Sequence, residues 1–240
     1  MNIILSTATS EPLVLAGLAW PVELRTHPRA RRLRLVLDER RGLLRLTVPR
    51  RVTRSAALDW ARRQSNWVEA QLARIEPAEP LVAGATIPFD GGAVLLCWDE
   101  AAPRTPRLLD AFLTCGGPPE RFGERIARWL RGEARRRLVE ETRALTASSG
   151  INDAPVSVGD AGTRWGSCSA SGAIRYNWRL ILAPPAVRAY VVAHEVAHRV
   201  HMNHGAGFHA LQAELYDGDV GEARLTLRRI GPRLKRVGRG

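Results

Sequence analysis

One stretch constrains this chain more than any other: Val192-Ala193-His194-Glu195-Val196-Ala197-His198-Arg199-Val200-His201-Met202-Asn203-His204. It contains H-E-x-x-H, with a further histidine six residues on. Residues four apart on a helix share a face, so His194 and His198 can both point at one metal ion. Glu195 reaches the same side of that ion without having to bind it. Two imidazoles holding a metal, beside a carboxylate that takes a proton from zinc-bound water, are what a zinc hydrolase needs. The setting strengthens the motif: five of the six histidines fall between His194 and His209, and Ala186 to Ala193 is apolar with a helical pattern.

A catalytic zinc usually takes three protein ligands and keeps one position open. His204 is the candidate third ligand. For it to return, the helix must end soon after His198. Met202-Asn203-His204-Gly205 offers a stop, because Asn and Gly tolerate the left-handed conformation of a helix C-cap. His201 lies seven residues, about 10 Å, up the axis from His194, so it reads as lying outside the coordination set. Glu214 is the alternative third ligand.

The rest of the composition bounds the answer loosely. At 240 residues, 45% hydrophobic and 25% charged, the chain can bury a core in one or two domains. The net charge is +12, and Lys235 is the only lysine, so the excess is arginine. An anionic partner, nucleic acid or nucleotide, is one reading of that charge. The arginines do not gather in one block, so solvated arginines spread over the surface are the preferred reading. Cys97, Cys115 and Cys168 are odd in number and far apart, which suggests reduced thiols in a cytoplasmic protein. No apolar run approaches a membrane span. Met1 to Ser10 lacks a basic segment, so a signal peptide is not expected.

In chain order, Met1 to Pro21 reads as a loose leader with at most one strand. Arg32 to Leu37 and Leu44 to Val48 alternate and form a hairpin ending at Pro49. Thr53 or Ser55 caps a helix to about Ile75, with Trp60, Trp67, Leu72 and Ile75 inward. Thr86 to Phe89 and Ala93 to Trp98 flank Asp90-Gly91-Gly92, a second hairpin. Leu108 to Thr114 adds a strand. Gly116-Gly117-Pro118-Pro119 is the domain boundary, and a long helix follows from Pro119 to Ala147. Val156 to Val158 starts another strand. Thr163 to Ser169 and Ala173 to Leu182 form a hairpin with Ile174, Tyr176, Trp178, Leu180 and Leu182 on the buried face. Pro184-Pro185 opens the metal helix. Gly218 to Gly240 reads as basic, ending in a frayed tail. The domains expected are a β-rich region over 1–117 and an α+β region over 118–240.

The motifs Arg164-Trp165-Gly166-Ser167-Cys168, Ile174 through Asn177-Trp178-Arg179-Leu180-Ile181 to Ala183-Pro184, Tyr190-Val191-Val192-Ala193-His194-Glu195-Val196-Ala197-His198, and Asn203-His204-Gly205 with Phe208 resemble the YgjP-like metallopeptidase family. That family is related to the SprT-like and WLM zinc proteases. The likeness is close from about Gly159 to Leu215 and looser over the front half. It implies an α+β fold with a zincin-like (minimal gluzincin-type) metallopeptidase core behind a β-rich N-terminal region. It also implies zinc on His194, His198 and His204, with Glu195 as base, and so favours His204 over Glu214. Two positions depart from the family pattern: Gly205 replaces the serine after the third ligand, and His209 replaces the tryptophan after Phe208.

The function expected is a zinc-dependent peptidase acting on peptide or protein substrates. Tyr176, Arg164 and His209 are candidate oxyanion stabilisers. A strand edge near Trp165 to Cys168 can pair with an extended peptide. Cys168 reads as a structural strand cysteine, since glutamate-activated water already supplies a nucleophile. The resemblance brings one alternative, a UTP pyrophosphatase with Arg164, Arg175 and Arg179 on phosphates. No P-loop or acidic Mg²⁺ cluster accompanies those arginines. The other alternative is a DNA-associated basic module with a structural zinc. Glu195 weighs against it, since a structural ion does not need that residue.

Overall fold

A computed structural model describes residues 11–39, 41–73 and 77–239. Among these, the fold is mixed α+β, with three small sheets and six α-helices. Two compact units divide at Pro77 and Ala78. The Gly117 boundary expected from the sequence falls inside the second unit.

In the first unit, β1 (Val22–His27), β2 (Arg34–Asp38) and β3 (Leu43–Pro49) form a sheet in the order β1-β3-β2. The expected hairpin is the antiparallel β2–β3 pair, with Leu35 opposite Leu46 and Leu37 opposite Leu44. β1 was not foreseen; it pairs parallel to β3. Thr53 caps the following helix, accepting from the Ala56 amide at 3.2 Å. One helix was expected, but α1 (Arg54–Arg62) and α2 (Ser65–Leu72) are separate, and Ile75 lies outside the described residues. Ala57, Ala61 and Val68 fill the inner face. Trp67, one position from Val68 and so about 100° round the helix, is 41% exposed instead of buried.

In the second unit, β4 (Thr86–Phe89), β5 (Gly92–Trp98), β6 (Arg107–Leu109) and β7 (Phe112–Cys115) form a sheet ordered β4-β5-β7-β6. Asp90 and Gly91 both have positive φ, 48° and 86°, as a two-residue hairpin turn requires. The strand expected over Leu108 to Thr114 is itself a hairpin, turning at Asp110 (φ 51°). α3 (Phe122–Ser148) buries Phe122, Ile126, Leu130, Ala134 and Leu138. Those residues share one core with Ile87, Phe89, Leu96 and Leu113 of the sheet.

The third sheet is β8 (Val156–Gly159), β9 (Gly166–Cys168) and β10 (Ile174–Asn177), ordered β8-β10-β9. β10 is shorter than the strand expected. The Asn177 side chain accepts from the Arg179 amide at 3.0 Å and donates to the Ala161 carbonyl at 2.8 Å. These bonds turn the chain into a 3₁₀ segment, Trp178–Leu182, whose residues are all buried. α4 (Pro185–Ala197) follows, opened by prolines as expected. Then come α5 (Ala206–Leu215) and α6 (Val220–Leu234). α6 was not foreseen; it fills most of the segment expected to end in a frayed tail. Asp219 caps it, accepting from the Glu222 amide at 2.9 Å, and Ala223, Leu227 and Leu234 are buried. No helix among the described residues is long and apolar enough to cross a membrane.

Candidate metal centre

α4 positions the site, and buried ion pairs hold α4. Arg188, 2% exposed, donates to Glu141 of α3 at 2.8 Å and to Asp90 of the β4–β5 turn at 2.8 Å. That turn also docks through its backbone, since the Asp90 amide donates to the Ile181 carbonyl at 2.9 Å. Such a pair contributes geometry more securely than net stability, because desolvation offsets much of its attraction.

His194 sits in the last turn of α4, and His198 is its C-cap. The helix therefore ends earlier than the Met202–Gly205 stop expected. Neither Asn203 nor Gly205 has a positive φ; Gly205 is the N-cap of α5. The intervening turn returns His204 to the cluster. The donor atoms of His194, His198 and His204 all lie within 4.8 Å of one another. His194 Nε2 and His204 Nε2 are 3.4 Å apart. Nitrogens bound at zinc's usual distances in tetrahedral geometry lie roughly 3.3–3.4 Å apart, so the donor set fits such an ion.

The ring tautomers suit that use. His198 Nδ1 is 3.0 Å from the His201 carbonyl, which can only accept, so Nδ1 carries the proton and Nε2 is left as a donor to metal. The Gln212 side-chain amide lies 3.2 Å from His194 Nδ1; turned so that its oxygen accepts, it holds the proton on Nδ1 and leaves Nε2 for metal. Phe208, buried, fits between the three imidazoles, with centroids 4.5–5.0 Å away. Burial, reinforced by His198 and His204, lowers the His194 pKa to about 4. Burial also lowers that of His198. Both rings are then neutral near pH 7, the form that binds metal.

Glu195 is 4% exposed, and its Oε2 accepts no hydrogen bond from the described residues. Burial raises its pKa to about 7, against the pull of the Arg164 guanidinium. β9 runs directly against it: a Cβ on Gly166 would overlap the Glu195 carboxylate. That role of Gly166 was not read from the sequence, nor was that of Gln212. The only signals were a glycine inside a strand and a glutamine four residues after Phe208.

The other candidates fall outside the cluster. Glu214 is exposed on α5 and is not among the clustered donors. His201 contributes its carbonyl, while its ring packs near Gly207. His209 is exposed, 6.4 Å from His204 between ring centroids. Tyr176 is buried with its hydroxyl 3.1 Å from that of Thr142, and burial pushes its phenol well above the ordinary range. It is therefore a core residue. Arg179 is also engaged, donating to Asp160 and to the Val237 carbonyl. Burial and then Glu195 raise the Cys168 pKa, which opposes thiolate formation.

Searches of the curated proteins and of the solved structures return no match. A family model described as "YgjP-like, metallopeptidase domain" matches residues 31–230. That span includes the histidine cluster, Glu195 and β9, and covers most of the sequence. The chain belongs to the YgjP-like metallopeptidase family.

Proposed function

We propose that the chain is a zinc-dependent peptidase in which His194, His198 and His204 hold the ion and Glu195 is the general base. The observation that carries this reading is a three-imidazole cluster beside a buried carboxylate whose Oε2 has no hydrogen-bond partner among the described residues. A zinc ion held there supplies Lewis acidity toward a carbonyl and acidifies water to a pKa of about 7. Glu195, itself near 7, is matched to accept a proton and to return it to a leaving amine. The His201 carbonyl and Gln212 fix the rings of His198 and His194. β9 is an edge strand, so an extended peptide can pair with it and bring a carbonyl beside Glu195. An active-site helix with an edge strand against its carboxylate supports a zincin-like core. The free cysteines support a cytoplasmic setting.

The nucleotide reading keeps Arg164 and Arg175 but loses Arg179, itself buried and engaged by Asp160 and the Val237 carbonyl. A structural-zinc, DNA-associated module leaves the buried Glu195 without a role.

Metal analysis and turnover assays test the proposal together. The protein is expected to hold about one zinc per chain, with His194→Ala and His198→Ala losing stoichiometric zinc. Unfolded protein is expected to be cleaved, and a chelator to stop cleavage. Glu195→Gln is expected to keep zinc and lose turnover. Chelator-sensitive hydrolysis of UTP without proteolysis would replace the peptidase reading with the nucleotide one.

A further inference from the structure

Immediately after His198, the guanidinium of Arg199 lies against the third sheet. Its Nη1 donates to the Gly172 carbonyl, and its Nη2 donates to the Asp153 carbonyl at 3.0 Å. Gly172 belongs to the turn between β9 and β10, and Asp153 to the segment entering β8. Register puts both at one end of the sheet. Ile174, the first residue of β10, pairs with Val156, the first of β8, and with Cys168, the last of β9. One planar side chain therefore joins the turn and the β8 entry, and ties both to the end of α4.

The contact is built on both sides. Gly172 has a φ of 80°, and a Cβ there would overlap the guanidinium. The Gly172 amide donates to the Ser169 carbonyl at 2.8 Å, and the Ser169 amide to the Ala173 carbonyl at 2.9 Å, which closes the turn. On the helix side, the Arg199 amide donates to the Val196 carbonyl at 2.9 Å. The Asp153 carboxylate faces Arg143 and the Ala154 amide instead of Arg199. The shielded Nε of Arg199 has no hydrogen-bond partner among the described residues. A guanidinium held by carbonyls and lacking a counterion is a poor source of stability; what it supplies is position.

That position bears on the base. Arg199 follows Glu195 by four residues, and β9 runs past both. Gly166, at the start of β9, abuts Glu195, and the turn after Cys168 meets Arg199. β9 is three residues long, begins with a glycine and has one neighbouring strand. The ladder alone specifies the register of such a strand weakly.

We infer that Arg199 is a positioning residue for hydrolysis: it pins the β9–β10 turn to the end of the metal helix and so keeps Gly166 against Glu195. The inference rests on the proposed function in one respect, Glu195 as base, and does not depend on which bond is cleaved.

The test compares zinc-loaded wild type with Arg199→Ala and Arg199→Lys, on unfolded protein and on UTP. Arg199→Ala is expected to keep zinc content and KM within about threefold of wild type and to lose about a hundredfold in kcat, the cost of displacing a catalytic group by about 1 Å. Lysine keeps the charge but not the planar fork that spans two carbonyls, so Arg199→Lys is expected to fall between, about tenfold below wild type at the same KM. Should Arg199→Ala fail to fold, Arg199→Lys carries the comparison. Hydrogen exchange gives a readout besides turnover: amides of residues 163–173 are expected to exchange about tenfold faster in Arg199→Ala, for the loss of roughly one net hydrogen bond, with residues 185–197 unchanged. Unaltered kcat in Arg199→Ala overturns the inference, as does unaltered exchange over 163–173 or a kcat loss that follows lost zinc. If the wild type hydrolyses UTP and no protein, the peptidase reading fails, and the kcat ratio on UTP decides the role of Arg199. If the wild type and Arg199→Ala cleave protein equally fast, the peptidase reading stands and the inference alone fails. If the wild type hydrolyses neither, both fail.

Discussion

His204 reaches the cluster from a turn between two helices, and its Nε2 faces that of His194 at 3.4 Å. Glu214 lies outside that set. His204→Ala is therefore expected to weaken zinc binding strongly, while Glu214→Ala, His201→Ala and His209→Ala stay within about tenfold of wild type. His201→Ala keeps the carbonyl that orients His198. Gln212→Ala removes the amide beside His194 and is expected to cost about 10- to 100-fold. Competition titration against a chromogenic chelator separates these outcomes. Glu195 yields a pH prediction for the metal-free protein. Its folded pKa, about 7, is above the ordinary 4.5. Its stability contribution is thus full below pH 4.5 and is lost as pH rises through 7. Glu195→Gln has no such loss, so its melting temperature is expected to rise relative to wild type between pH 4.5 and 7 and then hold a constant offset. Thermal melts in chelator across that range check it. His194, lowered to about 4, acts in the opposite sense in both proteins: stability falls as pH drops below about 6.5 and levels off near 4. It therefore cancels in the comparison.

At the scale of elements, α4 carries His194 and Glu195 and ends at His198, and β9 sets the space around Glu195. The two meet where Gly166 abuts Glu195. Gly166→Ala is expected to leave zinc content intact and to lower kcat by about a hundredfold, the cost of displacing a catalytic group by about 1 Å. Zinc analysis beside single-turnover rates tests it, and unchanged kcat would mean the carboxylate is not confined by β9. Asn177 shows how an element ends against its own pattern. Alternation continues to Leu182, yet the Asn177 side chain accepts from the Arg179 amide and ends the strand. Asn and Asp side chains compete with the ladder in this way.

At the scale of the molecule, the unit boundary at Pro77 places β4–β7 with the metal helix. Ile87, Phe89, Leu96 and Leu113 share a core with Phe122 and Ile126, and Asp90 anchors Arg188. A fragment of residues 78–240 is expected to unfold cooperatively and bind zinc near wild-type affinity. One of residues 118–240 is expected to expose that core, leave Arg188 with Glu141 but without Asp90, and lose cooperative unfolding. Denaturant titration of the two decides between the observed boundary and the one at Gly117. The arginine excess also resolves at this scale. Arg136 and Arg137 on α3 are paired with Glu133, Glu140 and Asp90, and Arg179 and Arg188 are buried in ion pairs. Those four arginines therefore serve the structure, and the net charge of +12 lies on the others.

The sequence by itself determined what local periodicity and chemistry carry: the β2–β3 hairpin, the Asp90-Gly91 turn, α3, the proline start of α4 and the His194–His198 spacing. These follow from interactions a few residues apart. It did not determine the pairing of β1 with β3, the place of the long hairpins in the second core or the α6 stripe masked by arginines. Nor did it show that Gly166 and Gln212 stand against Glu195 and His194. Those contacts join residues 18 or more positions apart, as Gln212 is from His194. Their existence depends on how helices and sheets pack, and local patterns do not encode packing.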